Sequence, residues 1–356
     1  MTCVNKQVAL PFNAYRAALR CFGFCYDTSI SYSSRLFMKR RKLLSGAVAG
    51  TLAASALPAT AKDLSGMISI IDLDRCNGCP GLKVPRCVEA CRVKNHPRFP
   101  EPQKPILPYW PQVKFEDYSD KRDLTNRLTP YNWLFVEKVQ VQGREVFIPR
   151  RCMHCEDASC QKVCPFGTIG KSAEGAVVID HEYCFGGAKC RDVCPWNIPQ
   201  RQAGVGLYLD LAPKFAGGGL MYKCDMCADL LAKGDKPACQ SACPQGAVRF
   251  GAKAQLLKEL PQIAQGRYVY GLKENGGTRT IYVSSVAFDD IDQAIGEKYG
   301  NKPAMGRPHM HTDFANRLDA TQGLAKSVMA APIIGAGAAV AAALWLKTKR
   351  RQTRDE

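Results

Sequence analysis

The chain has 356 residues with 18 cysteines, 22 prolines and 30 glycines, which suits one or two loop-rich domains rather than one large apolar core. Its net charge of +17 falls largely at its ends: residues 1–61 hold eight Lys or Arg against one acid, and residues 347–356 hold five against two. No basic stripe interleaved with aromatics runs between them, which excludes the usual pattern of a nucleic-acid surface.

In chain order, residues 1–37 match no recognisable element, and Met38 reads as the true start. The run Met38-Lys39-Arg40-Arg41-Lys42-Leu43-Leu44 opens an apolar, Ala- and Gly-rich stretch to Leu57, closed by Ala59-Thr60-Ala61. Residues 38–61 are similar to a twin-arginine export signal cleaved after Ala61, though Ser is missing before the arginines and Leu43 stands where Phe is commonest. The apolar stretch is too short to cross a membrane comfortably. Cys3, Cys21 and Cys25 then fall outside the functional count, leaving 15 cysteines between residues 76 and 243.

These form four groups. The first is Cys76-Asn77-Gly78-Cys79, then Cys87 and Cys91. Next comes an arm from His96 to Pro111, with six prolines in the fifteen residues from Pro97. That density forbids helix and favours an extended segment, with Tyr109 and Trp110 as anchors on a partner subunit or, alternatively, a plain surface loop. Val136–Val141 and Glu145–Ile148, joined by Gln142-Gly143-Arg144, read as a hairpin. The second group is Cys152-Met153-His154-Cys155, Cys160 and Cys164-Pro165. The third is Cys184-Phe185-Gly186-Gly187-Ala188-Lys189-Cys190 and Cys194-Pro195. The fourth is Cys224-Asp225-Met226-Cys227, Cys239 and Cys243-Pro244.

Every group ends in C-x3-C, and three fourth cysteines precede Pro. In bacterial ferredoxin runs of this kind the fourth thiolate serves the other cluster. Disulfide frameworks lack such repeated pairs, and the recurring C-x3-C and trailing prolines argue against tetrahedral zinc ribbons. In the third group Gly187 stands where the second thiolate belongs. Four cubanes need sixteen thiolates, so the spacing predicts a [3Fe–4S] cluster there; the alternative is a [4Fe–4S] cluster with a non-cysteine ligand.

Ile68–Ile71 and Val177–Ile179 read as strands leading into cysteine loops, and the segments after each C-x3-C as short helices. Repeated strand–loop–helix units predict a ferredoxin-like α+β core. Val163, Ile169, Trp196 and Ile198 read as shields against water, and His154 as a loop residue rather than a ligand. Gly170-Lys171-Ser172 looks like the end of a P-loop, but Pro165 occupies the required glycine position. A second hairpin is expected at Tyr268–Tyr270 and Thr280–Val283 around Asn275-Gly276-Gly277, and His309 and His311 are expected to face solvent or a partner.

Val328 to Leu346 is nineteen residues without a charge, flanked by Lys326 and by Lys347-Thr348-Lys349-Arg350-Arg351. That is long enough for one span, with the basic tail in the cytoplasm and the cysteine domain outside. Gly335 and Gly337 allow close approach of another helix. The expected divisions are therefore a leader ending at 61, a four-cluster domain over 62–251, an extension over 252–326 with a helix and hairpin, an anchor over 327–347 and a tail over 348–356.

The runs around Cys152–Gly167, Cys190–Gln200 and Cys224–Gly251 resemble the iron–sulfur (beta) subunits of exported respiratory oxidoreductases: hydrogenases of the hydrogenase-2 type, formate dehydrogenases and related molybdopterin enzymes. The resemblance implies tandem bis-cluster ferredoxin-like domains in which the first motif pairs with the fourth and the second with the third. It assigns one cluster to Cys76, Cys79, Cys87 and Cys243, and another to Cys91, Cys224, Cys227 and Cys239. It assigns the inner pair to Cys152, Cys155, Cys160 with Cys194, and to Cys184, Cys190 with Cys164. The cofactors implied are three [4Fe–4S] clusters and one [3Fe–4S] cluster. The function expected is electron relay, without a substrate pocket, between a catalytic subunit and a membrane quinone-reactive subunit or cytochrome at the periplasmic face of the membrane. The competing expectations are a zinc-holding scaffold and a self-contained reductase.

Overall fold

The computed structural model describes residues 64–107, 116–211, 218–302, 304–316 and 318, all within the compact unit Asp63–Glu356. The segment 38–61 expected to be an export signal, Tyr109, Trp110 and the apolar run Val328–Leu346 lie outside these residues.

The central sheet has the order β8-β1-β10-β9 (β8 Val248–Ala252, β1 Met67–Asp72, β10 Thr280–Ser284, β9 Tyr268–Tyr270). β1 runs parallel to β10 with Ile70 opposite Ile281, and antiparallel to β8 with Ile70 opposite Arg249. β1 is buried on both faces because both are covered. On one, Ile68, Ile70, Ile281 and Val283 pack against Leu256, Leu260 and Ala264, one stripe of the helix Lys253–Ala264. On the other, Ile71 joins Tyr270, Tyr282 and Phe288 in the larger core that also holds many of the cysteines. Each such fully buried apolar side chain contributes about 1.5–3 kcal/mol relative to exposure. Two of the four strands precede residue 253 and two follow it, so the expected C-terminal extension completes the sheet of the cluster domain.

Both expected hairpins form. β2 (Phe135–Val141) pairs with β3 (Arg144–Arg150) in a register that places Val141 opposite Arg144. Gln142 and Gly143 make the turn with φ of 50° and 78°, the left-handed pair that a two-residue turn requires. β9 pairs with β10, Tyr270 opposite Tyr282. The short pairs β4 (Ile169–Lys171) with β5 (Val177–Ile179), and β6 (Gln200–Gln202) with β7 (Leu220–Tyr222), complete the strands.

Two expectations need correction. The short helices do not follow the C-x3-C segments; they carry them, as Arg86–Asn95, Ser159–Lys162, Lys189–Asp192 and Ala238–Ser241 show. Four residues is about one helical turn, so the spacing itself is helical. Pro165, Pro195 and Pro244 then forbid continuation. The first group has no such proline, and its helix runs on to Asn95. The proline-rich arm also is not wholly extended: His96–Arg98 forms one 3-10 turn with Pro97 at its start, where a missing N–H is harmless. Further on, the arm lies on its own chain, with Gln103 N donating to Gly204 O at 2.8 Å.

Candidate cluster-binding sites

A strand delivers each cysteine group: β1 leads to Cys76, β3 to Cys152, β5 to Cys184 and β7 to Cys224. In each following loop the third position is left-handed, at Gly78 (φ 66°), His154 (φ 50°), Gly186 (φ 64°) and Met226 (φ 61°). The four loops therefore share a left-handed third position, after which they differ: Cys79 and Cys227 are left-handed too, whereas in the third loop it is Ala188, one past Gly187. Gly187 occupies the place in its loop that Cys79, Cys155 and Cys227 occupy in theirs.

The turn aims backbone N–H groups at sulfur. Met226 N lies 3.3 Å from Cys224 Sγ, and after the fourth cysteine Ala247 N lies 3.3 Å from Cys243 Sγ. Side chains add to this: Asn275 Nδ2 donates to Cys155 Sγ at 3.3 Å, and Asn95 Nδ2 to Cys91 Sγ at 3.5 Å. At Cys164, burial raises the thiol pKa, but hydrogen bonds from Thr168 and from the Phe166, Thr168 and Gly167 amides outweigh it and the net direction is down.

The thiols gather across groups. Cys76, Cys79, Cys87 and Cys243 line one cavity, and Cys91, Cys224, Cys227 and Cys239 line another. Cys164, Cys184 and Cys190 line a third, with Gly187 in its wall. The remaining four are mutual neighbours: beyond burial, the Cys155 thiol is pushed up by Cys194, Cys152 and Cys160. The assemblies also adjoin in order. Cys87 and Cys91 share one helix, Cys224 is raised by nearby Cys152, and Cys190 by nearby Cys160.

Burial raises Cys76 and Cys239 to about 11 and Cys194 and Cys227 to about 12. All 15 cysteines among the described residues are free of disulfides. Yet two cations are buried beside them. Arg151, 1% exposed, donates to Ser69 Oγ and places Nη1 4.0 Å from Cys224 Sγ. Lys223, also buried, donates to the carbonyls of Val177 and Cys224, and nearby Cys152, Cys160 and Cys224 outweigh the desolvation that lowers its pKa. A buried cation demands an anion. Among the described residues no carboxylate lies within ion-pair distance of either; sulfur is the counter-charge nearest Arg151, and sulfur with the more distant Asp225 serves Lys223. Thiolates held by iron satisfy both requirements: the metal removes the thiol protons, and the ligated cluster returns negative charge to Arg151 and Lys223. The residues present fit iron–sulfur clusters.

Two 4Fe-4S dicluster domain profiles match, over residues 75–168 and 144–253. The chain belongs to the 4Fe-4S dicluster family. The dicluster chain is 32% identical over 251 residues to a protein of Nitratidesulfovibrio vulgaris, a match covering 68% of this chain and 60% of that protein. It is 27% identical over 304 residues to the hydrogenase-2 operon protein HybA of Escherichia coli, covering 72% and 83% of the two. It is 28% identical over 249 residues to the iron–sulfur subunit of the nitrate-inducible formate dehydrogenase of Escherichia coli, covering 64% and 71%. The relatives therefore match the respiratory-subunit resemblance of the motifs. The two profiles are linear windows, whereas the cavities of this dicluster chain join its first cysteine group to its last.

Trp196, Ile198 and Ile169 are buried as expected of shielding residues, while Val163 is half-buried. His154 is buried and accepts a hydrogen bond from Val177 N at 3.0 Å through Nδ1, which ties the second loop to β5. His309 corrects an expectation: it is 1% exposed, enclosed between helix Phe288–Tyr299 and Arg150. Sequence reasoning missed Arg151 and Lys223; each directly precedes the first cysteine of a group, and that placement is the signal that could have flagged them.

Proposed function

We propose that this chain is a non-catalytic electron-transfer subunit, relaying electrons between a catalytic redox subunit, of hydrogenase or molybdopterin type, and a membrane subunit that exchanges them with quinone. The observation that carries the reading is the order of the four thiol assemblies, each closed by cysteines of two motifs and each adjoining the next. Such an order suits stepwise relay between two ends rather than chemistry at one pocket.

In this reading Cys76, Cys79, Cys87 and Cys243 hold one [4Fe–4S] cluster, Cys91, Cys224, Cys227 and Cys239 a second, and Cys152, Cys155, Cys160 and Cys194 a third. Cys164, Cys184 and Cys190 hold a [3Fe–4S] cluster beside Gly187. The bound clusters supply reversible one-electron chemistry. The chain orients the thiolates, donates N–H groups to sulfur, places Arg151 and Lys223 as counter-charges and excludes water with Trp133, Trp196 and their neighbours. At the Gly187 end, Phe166 is 56% exposed and stacks on Phe185 with centroids 4.2 Å apart, an apolar surface suited to a partner subunit. The reading puts two tandem bis-cluster modules at the periplasmic face of the membrane, supported by the Arg40-Arg41 pair ahead of an apolar run and by the uncharged stretch Val328–Leu346.

Anaerobically purified protein tests this directly. The expected result is a brown chain with about fifteen irons, and an oxidised-state electron paramagnetic resonance signal of [3Fe–4S] type. A colourless chain carrying a few zinc ions would end the reading and favour a structural metal scaffold.

A further inference from the structure

Away from the cysteines, one further set of ligand atoms converges. Helix Phe288–Tyr299 presents Asp292, and His309 and His311 come from the segment beyond Arg307. Their alternation suits an extended backbone, which turns residues i and i+2 to one side. One ligand atom from each of the three lies within 4.8 Å of the others. Asp292 addresses the two rings with different oxygens: Oδ1 is 3.3 Å from His309 Nδ1, and Oδ2 is 2.6 Å from His311 Nδ1. The rings stack at 5.0 Å with 23° between their planes.

The set is held in place from outside. Arg150 Nη2 donates to His309 O at 2.8 Å, Met310 N donates to Asp292 Oδ1 at 2.7 Å, and the Tyr270 hydroxyl donates to His311 O at 3.0 Å. Three long-range hydrogen bonds thus fix a three-residue segment before any ligand arrives. Within it, Nδ1 of buried His309 faces Asp292 Oδ1 at 3.3 Å, and its Nε2 has no hydrogen-bond partner among the described residues. A buried polar group left unpaired costs stability. The arrangement makes sense if nitrogen and oxygen aim at a shared third point. Two donors each about 2.0–2.1 Å from a tetrahedral ion stand about 3.3 Å apart.

We propose that Asp292, His309 and His311 bind one divalent transition-metal ion of the zinc class, through the carboxylate and the two Nδ1 atoms, with water completing the tetrahedron. Two imidazoles and one carboxylate select this class over magnesium or calcium, which take all-oxygen sets. Ion entry replaces the Asp292–His311 contact, and each bound imidazole then carries its proton on Nε2. The ion clips the segment carrying His309–His311 to helix Phe288–Tyr299.

The test uses the full chain with its iron retained, stripped of adventitious metal, loaded with Zn²⁺ and freed of excess. The expected result is one zinc per chain, with X-ray absorption showing nitrogen and oxygen donors at about 2.0–2.1 Å and no sulfur shell at about 2.3 Å. His311→Gln changes a side chain 43% exposed, and Asp292→Asn keeps an oxygen acceptor for Met310 N. Each should lose the bound zinc while iron content stays the same. Zinc surrounded by sulfur, zinc retained in both variants, or no zinc held by the parent chain would overturn the site and leave a histidine–carboxylate contact only. None of these results touches the iron count on which the relay reading stands.

Discussion

Arg151 and Cys224 meet in the interior although 73 positions separate them: the guanidinium Nη1 lies 4.0 Å from the sulfur, and the same side chain sits over the Phe250 ring at 5.0 Å. The cation adjoins the second assembly of thiols while its own neighbour in sequence, Cys152, belongs to the third. A fixed positive charge favours the more negative, reduced state of whatever Cys224 ligates. Arg151→Met keeps the length and removes the charge. The midpoint potential of the cluster at Cys91, Cys224, Cys227 and Cys239 should fall, read by redox titration with paramagnetic resonance. Leaving that assembly without its buried partner should also lower unfolding stability by about 3–5 kcal/mol. An unmoved midpoint would remove Arg151 from the tuning of this site.

His181 makes the chain sensitive to acid. Burial, then Arg98, lowers its pKa from 6.5 to about 4, against a hydrogen bond to Met221 O that raises it. The unfolded imidazole titrates near the upper value. As pH falls through this window the unfolded chain takes up a proton that the folded chain refuses, so stability is intact above 6.5 and declines toward 4. His181→Phe removes the titrating group while keeping an aromatic ring against Trp133 and Tyr222. Unfolding midpoints measured across this range should slope less in the variant than in the parent; equal slopes would assign the acid sensitivity elsewhere.

The parts of the site legible beforehand were those written in local spacing. C-x2-C and C-x3-C are short-range signals, and Gly187 stands out against three intact copies. Which fourth cysteine closes which assembly is a long-range fact, and it came from family resemblance rather than from spacing. β4, β6 and β7 are three residues each, too short for a period of two to emerge. The helices fell on the cysteines rather than after them because C-x3-C is itself one turn. His309 was misread because no local pattern marks its burial; Arg150, 159 positions away, and Asp292 enclose it.

Asn275 offers a separate handle on the third assembly. Its amide donates to Cys155 Sγ at 3.3 Å from a left-handed backbone position, φ 53°, that Asp also tolerates. Asn275→Asp therefore exchanges a donor for an anion facing sulfur with little backbone penalty. Losing a hydrogen bond to a charged group costs about 1.5–3 kcal/mol, and the added negative charge should lower the potential of the cluster at Cys155. Iron retention on gel filtration and the midpoint of that cluster both report on it. A variant with parental midpoint and full iron would show that Asn275 serves the fold alone.

Gly187→Cys restores the donor that the repeat calls for. The residue lies in the wall of the cavity made by Cys164, Cys184 and Cys190, and it is not among the left-handed glycines, so a side chain meets no conformational penalty there. Its neighbour Gly186 (φ 64°) supplies the left-handed third position that Gly78, His154 and Met226 supply in the other loops. The variant should gain one iron per chain, rising from about fifteen to sixteen, and lose the oxidised-state [3Fe–4S] signal. Because a full cubane at this position changes cluster type and charge, its potential should drop below the parent's, placing a step in the relay that slows turnover of the assembled complex. If the parent already carries sixteen irons and no such signal, a ligand other than cysteine completes this site and the glycine has no bearing on its nuclearity.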